Sequence, residues 1–203
     1  DDPFEEYVTD TVSSSLSRVL TIKRYELKDG KHSVTGEADD SGKVTLCVYG
    51  NGLINEKQTD KTLYHHYNHL GSTVKLTDDS GAVVASYTYG VYGELLSGRT
   101  EFTRFLYNGR MGVMTEDNGL YYMRQRYYNP EIKRFVNQDI LAGSLQNSQS
   151  LNRYSYVQGN PVSYTDPFGL SPLNKLSSLW GTSEGKHLLL GMLELIPGAG
   201  LIA

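Results

Sequence analysis

The sequence lacks most of the features that announce a chemistry. It holds a single cysteine, so an internal disulfide is excluded. That residue, Cys47, sits in the apolar run Val44-Thr45-Leu46-Cys47-Val48-Tyr49, which predicts a buried, inert thiol. Charges of one sign are nowhere blocked together and the net charge is only −4, which argues against a nucleic-acid or anionic-membrane surface. There is no Gly-x-Ser-x-Gly elbow, no phosphate loop and no Cys/His catalytic spacing. A charged-then-apolar leader is missing too, and the start Asp1-Asp2-Pro3-Phe4 reads as the interior of a longer chain. The apolar stretch from His187 to Ile196 carries Glu194 and ends at Pro197-Gly198, too short and too interrupted to span a bilayer. Three histidines, His65, His66 and His69, invite a metal. No Cys, Asp or Glu lies close enough in sequence to complete a ligand set, and on a strand His65 and His66 face opposite sides. No metal or cofactor is expected.

Tyrosine and glycine are abundant, with 16 and 21 residues. They punctuate many short β-favouring runs bounded by Gly, Asn or Asp, which predicts mainly β structure. A repeat is also visible. Asp39-Asp40-Ser41-Gly42 and Asp78-Asp79-Ser80-Gly81 are identical, and Asp117-Asn118-Gly119 echoes them. Each precedes an apolar or aromatic run: Val44 to Tyr49, Val83 to Tyr89, Leu120 to Tyr128. A period of about forty residues with one hairpin turn per unit is the pattern of a repeat sheet. Glycine tolerates the positive φ of tight hairpins, and Asp bonds its own local backbone. Thr73-Val74-Lys75-Leu76-Thr77 alternates as a strand with one buried face should.

Two groups of residues carry a family likeness. Tyr64-His65-His66-Tyr67-Asn68-His69-Leu70-Gly71-Ser72-Thr73, then Leu76-Thr77-Asp78 and Tyr87-Thr88-Tyr89-Gly90-Val91-Tyr92-Gly93, resembles the tyrosine–aspartate (YD) repeat, with Asn68 where Asp is usual. The runs Arg126-Tyr127-Tyr128-Asn129-Pro130-Glu131-Ile132-Lys133-Arg134-Phe135-Val136-Asn137-Gln138-Asp139 and Asn160-Pro161-Val162-Ser163-Tyr164-Thr165-Asp166-Pro167-Phe168-Gly169-Leu170 resemble the C-terminal signature of the RHS repeat-associated core. That core occurs in bacterial polymorphic toxins and Tc toxin C subunits. The likeness covers about residues 45 to 170.

The resemblance implies a curved antiparallel sheet of hairpins, part of a hollow shell, with a C-terminal plug and a short helical tail. Residues 1–44 would be a degenerate repeat, 45–125 the YD sheet, 126–170 the self-cleaving plug, and 171–203 the start of a toxin or pre-toxin segment. It further implies an intramolecular aspartyl protease in which Asp139 and Asp166 activate water, Arg126 and Arg134 support them, and the bond cut is Leu170–Ser171. Two adjacent carboxylates share one proton, so the charged one can accept from water while the neutral one donates. The implied partners are the chain's own C-terminal toxin segment, the remainder of the shell and an immunity protein, with a secreted or cell-surface location. Lys133 stands where the family has Gly, Ile140 where Pro is usual, and residues 141–151 form a longer connection without the usual paired glycines.

The residues by themselves also admit a plainer reading. Asp166-Pro167-Phe168-Gly169 is a type I turn sequence whatever else it does. Arg124 shares strand parity with Arg126, so spacing alone does not choose between them. The alternative function is a non-enzymatic YD scaffold or a cell-surface module that stacks tyrosines on glycans.

Overall fold

The computed structural model describes residues 4–14, 18–27, 33–38, 44–58, 61–140 and 148–170. The fold is mainly β, as the residue patterns predict. Eight antiparallel strands follow one another in sequence order: β1 (Phe4–Ser14), β2 (Arg18–Leu27), β3 (Ser33–Ala38), β4 (Val44–Gly50), β5 (Gly52–Lys57), β6 (Thr62–Tyr67), β7 (Thr73–Thr77) and β8 (Val83–Ser86). A two-stranded sheet pairs β9 (Thr88–Tyr89) with β10 (Leu95–Ser97). A four-stranded sheet runs β11 (Met114–Thr115), β12 (Tyr121–Met123), β13 (Arg126–Asn129), β14 (Arg134–Phe135). The expected helical tail and the first repeat turn, Asp39 to Gly42, lie outside the described residues.

Local chemistry explains the repeated turns. Four segments share one backbone pattern: Asn68–Ser72, Asp78–Ala82, Gly90–Glu94 and Glu116–Leu120. In each, the first N–H donates to the fifth residue's carbonyl and the fourth N–H to the first carbonyl. The fourth residue is always glycine, Gly71, Gly81, Gly93 or Gly119, at φ between +80° and +88°. A tight turn closed by a left-handed residue is a standard way to join antiparallel strands, and glycine enters that conformation without steric cost. Asp78 Oδ1 accepts from the Ser80 N–H at 2.9 Å and the Ala82 N–H at 3.0 Å. Asn68, at the family's aspartate position, does the same for Leu70 at 3.0 Å and Ser72 at 2.9 Å. An amide oxygen replaces the carboxylate without loss of the turn.

The described residues divide into two compact units, 4–65 with 76–84, and 66–75 with 85–170. The first buries Cys47, Tyr49, Leu53, Leu63 and Leu76. Its β6 alternates as a strand must, with Leu63 and His65 inward and Tyr64 and His66 outward. The second is built around tyrosine: Tyr107, Tyr121, Tyr128 and Tyr156 pack with Val113, Met123, Phe135 and Val157. Tyr128 and Tyr156 are the closest of these rings, with centroids 4.3 Å apart. Each phenol keeps a polar partner: Tyr121 donates to the Gly93 carbonyl at 2.7 Å and Tyr128 to that of Tyr92 at 2.8 Å. Fully burying one such ring is worth about 1.5–3 kcal/mol, provided its hydroxyl is satisfied.

Candidate functional site

The second unit brings one arginine and two carboxylates together. Met123 pairs with Arg126 across β12 and β13, so Arg124 and Gln125 form a two-residue turn and Arg126 opens the next strand. Along β13, burial alternates and Arg126 and Tyr128 point inward. The guanidinium of Arg126 lies 3.5 Å from the centroid of the Phe135 ring, a stacked cation–π contact supplied by β14.

Its donors are all directed at the site. Nη2 lies 2.9 Å from Asp139 Oδ2 and 3.1 Å from Asp166 Oδ2. Nη1 donates to the Arg153 carbonyl at 3.1 Å, and Nε donates to the Gly169 carbonyl at 2.5 Å. Burial pushes Arg126 below its ordinary value, and Asp166 and then Asp139 oppose that shift. One nitrogen thus holds an oxygen from each carboxylate, although Asp139 and Asp166 lie 13 and 40 positions beyond Arg126 in sequence. A planar fork suits this task in a way that a lysine ammonium does not.

Each carboxylate is itself fixed by its backbone. The Asp139 N–H donates to the Arg153 carbonyl at 2.9 Å, and Arg153 Nη2 donates back to the Asp139 carbonyl. Asp166 opens the turn that its sequence predicts, with the Gly169 N–H donating to its carbonyl at 3.2 Å. Its Oδ1 accepts from the Leu170 N–H at 3.0 Å. Asp166 is 1% exposed and Leu170 5% exposed. The side chains of Asp166 and Arg126 therefore hold the backbone on the amino side of the bond suggested for cleavage. Ser171 lies outside the described residues.

The other arginines are placed differently. Arg134 is exposed on β14, where its backbone pairs with Asn129 and bridges to Ser155, and its side chain does not meet either carboxylate. Its neighbour Phe135 supplies the ring beneath Arg126 instead. Arg124 sits in the turn at φ +57°, so strand parity does not govern it. Its Nη1 donates to the Pro167 carbonyl at 2.9 Å. Sequence reasoning had no handle on Arg153, because its contribution is a carbonyl shared by Arg126 and Asp139.

Lys133, where the family has glycine, has φ +60°, the left-handed conformation that explains the family's choice. Ile140 is 68% exposed. Among the histidines, His65 Nε2 meets Glu56 Oε2 at 2.8 Å inside the first unit, and His69 Nε2 reaches the Val162 carbonyl at 3.3 Å in the second. Among the described residues no group of three or more His, Cys, Asp or Glu side chains is placed to hold a metal ion.

No family model matches the chain. Individual relatives do. The tRNA nuclease WapA of Bacillus subtilis (strain 168) is 30% identical over 178 residues, which cover 83% of this chain and 8% of WapA. Toxin subunit YenC1 of Yersinia entomophaga is 30% identical over 125 residues, 60% of this chain and 12% of that subunit. Among solved structures, the crystal structure of TcdB2-TccC3 matches 82% of this chain and 8% of its own at a TM-score of 0.54 and 22% identity, a likeness of fold. The chain therefore spans only a small part of the proteins it matches. The repeated glycine-closed hairpins, the YD-like runs and these relatives agree: the chain belongs to the RHS/YD-repeat core family of toxin proteins.

Proposed function

We propose that this chain is the C-terminal portion of a toxin-enclosing RHS shell, and that it cuts its own backbone between Leu170 and Ser171. The observation that carries the reading is the shared contact of Arg126 Nη2 with Asp139 and Asp166, in a site whose other groups hold Gly169 and Leu170. With both carboxylates ionised the triad carries one net negative charge, and one added proton makes it neutral, the state that burial favours. The ionised aspartate accepts a proton from water as the water oxygen bonds to the Leu170 carbonyl carbon. The protonated aspartate donates to the carbonyl oxygen. Collapse then breaks the C–N bond, leaving a Leu170 carboxyl, while Ser171 nitrogen takes up a proton. No oxidant, metal or second substrate enters this balance.

The implied cargo is the segment beyond Leu170, and the implied partners are the rest of the shell and an immunity protein for the toxin. The setting is a secreted or cell-surface protein. Among the described residues no helix is long and apolar enough to cross a membrane.

A second reading draws on the same geometry. An arginine that reaches both carboxylates also makes a satisfied structural clasp for the Asp166–Gly169 turn, and the chain is then a non-enzymatic scaffold. Intact mass separates the two. Self-cleavage yields two fragments, the smaller beginning Ser-Pro-Leu-Asn, and D139N or D166N abolishes them with the circular dichroism unchanged. A single 203-residue species supports the clasp. A cut at Asp166–Pro167 reports acid hydrolysis and removes the enzymatic reading.

A further inference from the structure

Three consecutive carbonyls lead up to Leu170, and three consecutive residues of one turn meet them. Arg124 Nη1 donates to the Pro167 carbonyl at 2.9 Å, the Gln125 N–H to that of Phe168 at 3.4 Å, and Arg126 Nε to that of Gly169 at 2.5 Å. Arg124 has further contacts of its own. Its Nη2 donates to the Met111 carbonyl at 2.7 Å, and its guanidinium lies 5.1 Å from the centroid of the Phe168 ring. Space for it is kept by Gly112 at φ +76°, where a Cβ would come within 2.9 Å of Arg124 Nη2.

The backbone of Arg124 is at odds with its residue type. At φ +57° an L side chain costs about 1–2 kcal/mol, and glycine fills such a position with less strain. The strain is matched by the side chain, which joins Met111, Pro167 and Phe168. Gly169 adds a steric lock. A Cβ there would meet the Met123 carbonyl oxygen at 2.6 Å and the Arg126 nitrogen at 3.0 Å, both backbone atoms that cannot swing aside.

We propose that the Arg124–Gln125–Arg126 turn is the subsite that sets the register of the segment to be cut, with Arg124 its positioning and specificity-determining residue. The inference rests on the self-cleavage reading above. The turn takes the Pro-x-Gly part of the Asp166–Gly169 turn, admits only glycine at position 169, and favours a flat aromatic side chain at 168 against the guanidinium. A slip of one residue would drive a Cβ into the Met123 carbonyl and lose the stack, so the register is held at two adjacent points. Cleavage at one bond is the consequence.

The discriminating variant is R124G, because glycine relieves the backbone at φ +57° while the guanidinium is lost. Cleavage should slow by about 10- to 100-fold, the usual effect of a small misplacement of reacting groups. Mass spectrometry of the residual product should find new termini on either side of Leu170. R124K should stay slow, since one ammonium cannot donate along two fixed directions and stack. F168L, which keeps apolar bulk but removes the flat ring beside the guanidinium, should slow cleavage as R124G does. Hydrogen exchange supplies a readout that needs no cleavage: the Gly169 and Leu170 amides should exchange faster in R124G, with those of Tyr121 and Tyr128 unchanged. Parent-like cleavage with parent-like protection in R124G overturns the register role and leaves self-cleavage standing. Faster exchange that extends to Tyr121 and Tyr128 reports a merely structural arginine and also overturns it. If the parent itself stays intact, self-cleavage fails, and the exchange pattern alone decides whether Arg124 holds the segment.

Discussion

At the scale of single residues, positive φ values say which side chains are replaceable. Gly169 is not, because a Cβ would strike two backbone atoms of the neighbouring turn at φ +67°. G169A should therefore displace the segment and abolish cleavage by intact mass, with the sheet signal in circular dichroism retained. Parent-like processing of G169A would show that the observed approach is not needed for the cut. Lys133 is the opposite case. It occupies φ +60°, and in return it has, among the described residues, an ion pair with Glu94 at 3.7 Å and a distant contact with the Tyr92 ring. The left-handed backbone costs about 1–2 kcal/mol, and an ion pair this exposed contributes about 0–1 kcal/mol. K133G should stabilise the chain slightly, raising Tm by about 2–4 °C in a thermal melt. A lower Tm would mean that the Glu94 and Tyr92 contacts outweigh the strain.

At the scale of elements, the tyrosine cluster of β12, β13 and their neighbours decides the alkaline behaviour. Burial raises Tyr89, Tyr107, Tyr121, Tyr128 and Tyr156 above the ordinary phenol value. A raised folded-state value means that the folded chain holds these protons more tightly than the unfolded chain. Their contribution is complete below about pH 10, where unfolded tyrosine ionises, and is lost as pH rises above it. Phenolate absorbance from these residues should therefore appear together with the loss of β structure in an alkaline titration. A full phenolate signal near pH 10 with intact circular dichroism would show that the cluster is open to solvent. The four-stranded sheet also manages its β14 edge: the Phe135 N–H donates to the Tyr154 carbonyl at 3.0 Å, and Arg134 bridges to Ser155. The same segment delivers the Arg153 carbonyl to Arg126, so edge protection and site assembly draw on one stretch of chain.

For the whole molecule, the proposed scissile bond and the two carboxylates belong to one chain. The segment proposed to be cut is tied to the carboxylate cluster by Asp166, which accepts from the Leu170 N–H, and by Arg126, which donates to the Gly169 carbonyl. Such a cut needs no encounter. The cleaved fraction at a fixed time should be unchanged over a hundredfold dilution (about the range mass spectrometry can follow), as expected when effective concentration is set by the fold. An added D139N copy should remain whole beside the active chain. Processing of that copy, or a fraction that falls on dilution, would establish cleavage between molecules instead.

What the sequence determined by itself is local. The glycine-closed turns at Gly81 and Gly119 were legible because positive φ is a property of one residue and its neighbours, and the Asp166–Gly169 turn for the same reason; those at Gly71 and Gly93 exceed the one turn per about forty residues that the repeat suggests. Buried Cys47 followed from the apolar run Val44 to Tyr49, and the opposite facing of His65 and His66 from strand geometry, whereas Thr73–Thr77, expected to alternate, buries Thr73 and Leu76. The pairing of His65 with Glu56 did not follow, because it depends on the β5–β6 register, which no composition rule places. The site followed only in part. Asp139, Asp166 and Arg126 were named through a family likeness, and the fold alone decided that a single guanidinium nitrogen reaches both carboxylates. It also left Arg134 outside, put Arg124 on the Pro167 carbonyl and recruited the Arg153 backbone. The physical reason is range: a turn is settled by steric and hydrogen-bond preferences over four or five residues, whereas a cluster of buried charges exists only where packing brings distant strands and loops within a hydrogen-bond length.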